Sequence, residues 1–316
     1  MLNASAPQRL HGPEDLLGKI PYLLEFHPSD SIVTLYLGPG GRVLATSAIA
    51  IDAPTQVVVD DQLDAANRSN AAMIAIVGYG PLTASGSVTA VADAMSRHVQ
   101  VFSTYLVSGG YFYCLNTGCA CAAVTGAPFD PKATTIAAHS TVLGEVALPS
   151  RAALLALAAP DPVAQAAVQA ALPQARTIHR PELVELDELL ERAMLDQRLT
   201  TDEVARLALL LRRPQVRDAA WQQTDQLMWQ RNLWLDVTRR VPERYVTAPA
   251  SLAAWCAWRR GESVLAMAAA RRAAAVDPSN TITRVVVGAI QSRIRPTELI
   301  PVWPLPPTSP TVADLR

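Results

Sequence analysis

The sequence has little of what several function classes require. Only two of its 27 basic residues are lysines, aromatic residues make up 5% of the chain, and charged residues make up 17%. It contains no run of about 18 uncharged apolar residues, and residues 1–13 have no basic segment followed by an apolar one. We therefore expect a cytoplasmic protein with no membrane partner.

Cysteine is also scarce, with four in 316 residues. Cys114, Cys119 and Cys121 lie within eight positions, whereas Cys256 stands alone. A disulfide-stapled domain disperses its cysteines along the chain, so this arrangement does not predict a disulfide framework. The cysteine content agrees with a reducing compartment.

The formal net charge of −1 hides an asymmetry between the two halves. Residues 1–150 carry six basic and eleven acidic side chains, whereas residues 151–316 carry 21 arginines and 17 acids. Arginine pairs recur at 212–213, 239–240, 259–260 and 271–272, but acids interleave with them. They therefore predict solvated helix faces, and nucleic-acid binding is not expected.

The first half alternates strand and helix patterns. Helices are predicted at 13–26, where Pro21 should divide two pieces, and at 55–67 and 85–98; strands are predicted at 31–37, 42–51, 71–78, 101–107 and 111–114. Right-handed crossovers should make the strands at 42, 71 and 101 parallel, with the strand at 31 flanking them. The predicted class for residues 1–150 is α/β, with a mixed sheet of about five strands and flanking helices.

After Pro149 the strand patterns stop, and periodic Ala- and Leu-rich segments continue to about residue 295. They predict an all-α helical-hairpin domain over residues 151–295. The expected breaks are at Pro160, Pro173, Pro181, Pro214 and Pro242. The spacing of Trp255, Trp258 and the small residues after them is similar to part of a tetratricopeptide repeat.

Residues 296–316 form a Pro-rich tail that we predict to be extended or disordered, and that could dock through Trp303. The tryptophans of the helical half are either core residues or an exposed surface for a partner. They are Trp221, Trp229, Trp234, Trp255 and Trp258.

The sharpest candidate for chemistry is the stretch Cys114-Leu-Asn-Thr-Gly-Cys119-Ala-Cys121. Its thiolates could hold a metal if a fourth ligand such as His139 folded over them. Structural zinc sites generally use two cysteine pairs, however, and this stretch supplies one triplet. A disulfide, or free thiols packed beside the sheet, are the alternatives, and the sequence predicts no metal and no cofactor.

A second candidate is the loop that contains Tyr79, Gly80, Thr83 and Ser85. It lies between a buried strand and a helix, where α/β folds present ligand-binding loops and a helix N-terminus that accepts anions. No G-x-G-x-x-G pattern, no Walker lysine and no basic residue before Arg97 accompanies it. The loop is therefore a candidate by position alone.

Two blocks of the sequence resemble a known family. Residues 21–33 are similar to the opening Pro-aromatic-Leu-Leu-Gly-Phe-x-Pro-x-x-Ser-x-Val of the actinobacterial domain of unknown function 4192, with Glu25 in place of the usual glycine. Residues 144–151 resemble that family's Gly-x-x-x-Leu-Pro-Ser-Arg segment. Related sequences have a Cys and then a Cys-Cys-Pro near residue 114, and this chain lacks that proline. The resemblance implies no activity.

No set of residues predicts a catalytic site, because the five histidines are scattered and few acids accompany the candidate loops. We expect a non-catalytic interaction or regulatory protein whose helical domain binds a protein partner or a second copy of the chain. The alternative is a hydrolase, a transferase or a small-ligand sensor. Its site would lie in the α/β domain, between the 79–87 loop and the cysteine stretch.

Overall fold

Residues 12–119, 121–177, 180–292 and 294–299 are described by a computed structural model. The chain divides into two units between Ala153 and Leu154. In both units, no helix among the described residues is long and apolar enough to cross a membrane.

The first unit alternates strands and helices as predicted. Its helices are α1 (Pro13–Leu24), α2 (Thr55–Ser69), α3 (Ser85–Ser96) and α4 (Thr135–Val142), and α5 (Arg151–Ala156) spans the division between the units. Its strands are β1 (Ser31–Leu37), β2 (Val43–Ala50), β3 (Met73–Tyr79), β4 (Gln100–Ser108), β5 (Tyr111–Cys114) and β6 (Ala127–Pro128).

One mixed sheet contains these strands in the order β2-β1-β3-β4-β5-β6. β3 and β4 are parallel, and the other neighbouring pairs are antiparallel. The predicted α/β class with a mixed sheet is confirmed. The prediction that the strand at 31 flanks the sheet is wrong, because β1 lies between β2 and β3. β1 is buried over six of its seven residues, as an interior strand requires, whereas β2 is partly exposed along its length.

Helices α2 and α3 cover one face of the sheet. Val58 of α2 and Val88 and Met95 of α3 are fully buried against Ile74 and Ile76 of β3. The wholly apolar sequence of β3 follows from this position, since it pairs on both edges and is covered.

The two blocks that resemble the known family meet in space. Phe26 and Leu148 form a parallel bridge, the His27 N–H donates to the Leu148 carbonyl at 2.9 Å, and the Leu148 N–H donates to the Glu25 carbonyl at 2.8 Å. We call this pairing of residues 25–27 with Leu148 the clasp. It ties the beginning of the first unit to its end.

Glu25 ends α1 in the left-handed backbone region, with φ 67° and ψ 7°. This conformation costs an ordinary L-residue about 1–2 kcal/mol, whereas glycine adopts it freely. The geometry therefore gives a physical reason for the glycine that the resembling sequences usually have here. Glu25 adopts the same left-handed conformation as a glycine would, but with backbone strain.

The second unit is helical throughout its described residues, which confirms the predicted all-α class. Its helices are α6 (Pro162–Ala175), α7 (Glu182–Met194), α8 (Thr201–Leu210), α9 (Pro214–Gln223), α10 (Met228–Arg240), α11 (Thr247–Arg259), α12 (Ser263–Val276), α13 (Thr281–Gln291) and α14 (Pro296–Leu299).

α11 is the central helix of this unit and packs against α10, α12 and α13. Trp255 and Trp258 are at most 3% exposed, and every α11 residue from 249 to 258 is buried. Gly261, at φ 87°, allows the turn into α12, so α11 and α12 form a helical hairpin. Membership of a tetratricopeptide repeat stays a prediction.

A buried ion pair joins α7 to α8. Arg206 Nε lies 2.8 and 2.9 Å from the two carboxylate oxygens of Glu185, and Arg206 Nη1 donates to the Ala175 carbonyl at the end of α6. The side chains of Arg206 and Glu185 are 12% and 7% exposed. One guanidinium group therefore holds three helices together.

Three predictions about proline are wrong. Pro21 does not divide α1, and Pro173 does not end the preceding helix pattern but lies inside α6. Both prolines are in the last turn of their helix, where the missing N–H removes one backbone hydrogen bond before the helix ends. Pro296 begins the one-turn helix α14, since the first helical position needs no N–H donor. The predicted Trp303 contact lies outside the described residues.

Replacing Glu25 by glycine should stabilise the protein by about 1 kcal/mol, because glycine adopts the left-handed conformation without strain. Glu14→Gly, in the first turn of α1, is the matched control and should destabilise the protein by about 1 kcal/mol. Differential scanning calorimetry would measure both. A lower melting temperature for Glu25→Gly than for the unchanged protein would contradict the strain argument.

Replacing Glu185 by glutamine should lower the free energy of unfolding by about 3–5 kcal/mol, because Arg206 is left as a buried charge without its partner. The control is Glu188→Gln, which removes an exposed pair with Arg180 and should cost less than about 1 kcal/mol. Urea unfolding followed by tryptophan fluorescence reports on the helical unit. Equal losses in the two variants would contradict the role given to the buried pair.

Candidate functional site

Cys114, Cys119 and Cys121 come together in the first unit. Their three Sγ atoms all lie within 4.8 Å of one another, and we call this group the cysteine cluster. Cys114 is buried, Cys119 is half-buried and Cys121 is exposed, and all three are free thiols. The cluster is thus anchored in the protein on one side and open to solvent on the other.

The loop after β5 folds back on itself to form the cluster. Asn116 Oδ1 accepts the Thr104 N–H at 2.7 Å, which fixes the start of the loop against β4. The Cys119 N–H donates to the Asn116 carbonyl at 3.2 Å and closes a turn that contains Gly118 at φ 74°. A residue with a side chain would be strained at this position, so the glycine permits the reversal that returns Cys119 to Cys114.

Cys114 and Cys119 differ in their tendency to ionise. Hydrogen bonds from the Cys121 thiol, from the Cys121 N–H at 3.4 Å, and from the Cys114 thiol lower the pKa of Cys119. Burial raises the pKa of the Cys114 thiol to about 12. Of Cys114 and Cys119, Cys119 is therefore the sulfur that ionises more readily.

His139, the predicted fourth ligand, is not brought to the cysteine cluster. It lies on the exposed face of α4. α4 turns Ile136, Ala137 and Ser140 toward the protein, which leaves His139 on the solvent side. Within the described part of the chain, the group of converging ligand atoms at this site consists of cysteine sulfurs.

The loop with Tyr79, Gly80, Thr83 and Ser85 and the cysteine loop contact β4 at different points. Tyr79 pairs with Val107 near the carboxyl end of β4, whereas the Leu115 N–H at the start of the cysteine loop donates to the Thr104 carbonyl at its middle. The Tyr79 side chain is buried, which raises the pKa of its hydroxyl, so it does not face a ligand in the loop. The two candidate segments are therefore held by different residues of β4, three positions apart.

A cleft in the second unit, lying between α7 and α10, was not predicted. It has a volume of about 410 Å³ and is lined by Asp187, Leu190, Glu191, Met194, Gln223, Trp229 and Gln230. We call it the helical cleft. Met194 is 55% exposed and Trp229 is half-buried, so apolar surface remains accessible to water. The residues that line it include two carboxylates and no arginine or lysine.

Amide side chains fix one wall of the helical cleft. Gln230 Nε2 donates to the Gln223 carbonyl at 2.6 Å, and Gln230 Oε1 accepts the Asp225 N–H at 2.7 Å. Gln223 Nε2 donates to Asp187 Oδ1 at 3.0 Å. The loop between α9 and α10 is thereby held against α7, and the cleft is formed in advance of any ligand.

Most of the tryptophans considered as a partner surface are core residues. Trp234, Trp255 and Trp258 are at most 3% exposed, whereas Trp221 and Trp229 are half-buried. Trp234 Nε1 donates to Thr224 Oγ1 at 3.0 Å and Trp255 Nε1 to the Thr224 carbonyl at 3.1 Å. Trp229 alone among these five lines the helical cleft.

The interpretation of the arginine pairs as solvated faces is wrong for several members. Arg240 is 6% exposed, and the side chains of Arg259 and Arg272 are 13% and 14% exposed. They form ion pairs with acids of the same unit. These pairs are possible because acids are interleaved with the arginines along the sequence. The ion pairs are Arg240–Asp236, Arg259–Asp225, Arg260–Glu262 and Arg272–Glu243.

The family model described as domain of unknown function (DUF4192) matches residues 13–297. The chain belongs to this family. The clasp, the cysteine cluster and the helical cleft all lie within the region that the DUF4192 model matches. Comparisons with curated proteins and with solved structures found no match.

Iodoacetamide at neutral pH should modify Cys119 at least about tenfold faster than Cys256, because alkylation requires the thiolate. The pKa of Cys119 is lowered and its sulfur is accessible. Burial raises the pKa of Cys256 to about 12, and its thiol donates to the Asp225 carbonyl. Mass spectrometry of timed digests would give both rates. In urea the two should react alike, and equal rates in the folded protein would contradict the assignment.

Proposed function

We propose that this protein is a non-catalytic interaction or regulatory protein whose helical unit binds a protein partner through the helical cleft. The observation that supports this proposal is the exposed apolar surface of Met194 and Trp229 beside the carboxylates of Asp187 and Glu191. We further propose a cytoplasmic location, where the four thiols stay reduced.

The chemistry of the cleft fits an amphipathic helix with basic residues beside its apolar face. Leu190, Met194 and Trp229 offer an apolar surface for the anchoring side chains of such a helix. Met194 can adapt its shape to the partner, and a half-buried tryptophan is the type of residue that often dominates binding energy. Asp187 and Glu191 would attract lysine or arginine at the edge of the partner and set its orientation.

The same residues offer little for catalysis. The described lining holds no histidine, cysteine, serine or lysine that could act with the two carboxylates as a nucleophile or base. Asp187 is engaged by the Gln223 amide. Binding without chemical conversion is therefore the function that this cleft supports best.

A fluorescent peptide of alternating leucine and lysine at helical spacing should bind the full-length protein, and a matched leucine and glutamate peptide should not. Fluorescence anisotropy would give the affinities. Met194→Asp and Glu191→Lys should each weaken binding at least about tenfold, since each disrupts the apolar or the acidic part of the cleft.

The control is Val163→Asp, which places a charge on an α6 side chain that is 82% exposed and does not line the cleft. It should leave peptide affinity unchanged. Equal binding of the two peptides, or unchanged affinity in Met194→Asp, would refute the proposal. Sedimentation that shows self-association abolished by Met194→Asp would instead identify a second copy of this chain as the occupant.

A further inference from the structure

We infer that the cysteine cluster is a binding site for one thiophilic d¹⁰ metal ion, Zn²⁺ or Cu⁺, held by Cys114, Cys119 and Cys121 with a fourth position open to solvent. The inference is independent of partner binding, because the cluster belongs to the first unit and the helical cleft to the second.

The spacing of the sulfurs fits an ion between them. Zinc–sulfur bonds of about 2.3 Å at tetrahedral angles place the sulfurs about 3.8 Å apart. All three Sγ atoms already lie within 4.8 Å of one another, so the loop needs to contract by at most about 1 Å. The Cys121 N–H donates to Cys119 Sγ at 3.4 Å, and hydrogen bonds of this kind orient the ligands of metal sites.

The ligand set selects the class of metal. Three sulfur atoms form the described cluster, with no histidine nitrogen or carboxylate oxygen among them. Soft thiolate ligands favour Zn²⁺ and Cu⁺ and disfavour Mg²⁺ and Ca²⁺, which prefer oxygen. The soft sulfur donors therefore make the site selective for Zn²⁺ and Cu⁺ over Mg²⁺ and Ca²⁺.

The gradient of exposure across the cluster argues against a simple packing role. Cys114 is buried, as a packed thiol would be, but Cys121 is exposed to solvent and Cys119 is half-buried. Exposed thiols add no packing and are open to oxidation. A metal ion bound by all three sulfurs accounts for the position of these two thiols beside Cys114.

Three protein ligands leave the ion incomplete on its solvent side. Structural zinc sites are usually closed by four protein ligands, whereas sites that exchange ligands keep one position open. His139 stays on the exposed face of α4 and does not close this site. The cluster is thus suited to an ion that is exchanged or sensed, with water or a small thiol as the fourth ligand.

The test uses the full chain, reduced and stripped of metal. Titration with Co²⁺ should give a thiolate-to-cobalt charge-transfer band that saturates at one ion per chain and disappears when Zn²⁺ is added. A parallel titration with Cu⁺ against a chromophoric chelator should show which of the two ions is held more tightly. Cys119→Ser and Cys121→Ser each remove a metal ligand, so metal affinity should fall by more than the roughly 100-fold that the loss of a group supporting a ligand costs at most.

Cys256→Ser is the matched control, because it removes a buried thiol of the other unit, and it should bind metal like the unchanged protein. Neither Cys119 nor Cys121 is buried, so their serine variants should fold, which circular dichroism would check. Absence of the cobalt band, together with no transfer of Cu⁺ from the chelator to the fully reduced protein, would overturn the inference. So would Zn²⁺ and Cu⁺ affinities that are equal in the unchanged protein and in both serine variants.

Discussion

The ion pair between Glu185 and Arg206 is the interaction on which the helical unit depends. Of the acids on α7, Glu185 is the one that faces the interior, and rotation of the helix would bury a carboxylate without its guanidinium partner. Met194 follows nine residues later, about two and a half turns, and so points to the opposite side. The buried charge therefore sets which side chains α7 offers to the helical cleft, although it lies outside that cleft.

The fold was largely predictable because each unit depends on one clear periodicity. The apolar run of β3 and the glycine turn after β1 indicate a covered sheet and a hairpin from local sequence alone. The place of β1 inside the sheet was not predictable in this way, since it depends on which edge of the hairpin pairs with β3. The helix breaks predicted at Pro21 and Pro173 are wrong, because a helix tolerates a proline in its last turn.

The candidate sites were predictable to different degrees. The cysteine cluster could be found because its three residues lie within eight positions, at the end of β5 and in the loop that follows, and Gly118 indicates the reversal that joins them. The distance of His139 from the cluster could not be read, since it depends on which face of α4 is buried. The helical cleft combines residues of α7, α9 and α10, so no single segment reveals it. The sequence alone also does not distinguish Trp229, which lines the cleft, from Trp234, which is buried.

The clasp connects residues about 120 positions apart, and this separation bears on how the chain folds during its synthesis. At roughly 5–20 residues per second, about 6–25 s pass between the emergence of residues 25–27 and that of Leu148. Residues 25–27 lack their strand partner throughout that interval, and α1 lacks α4, the helix on which it packs, until late in it. The apolar side of α1, with Leu17 and Ile20, then faces water on the nascent chain and is open to a chaperone that binds exposed apolar segments.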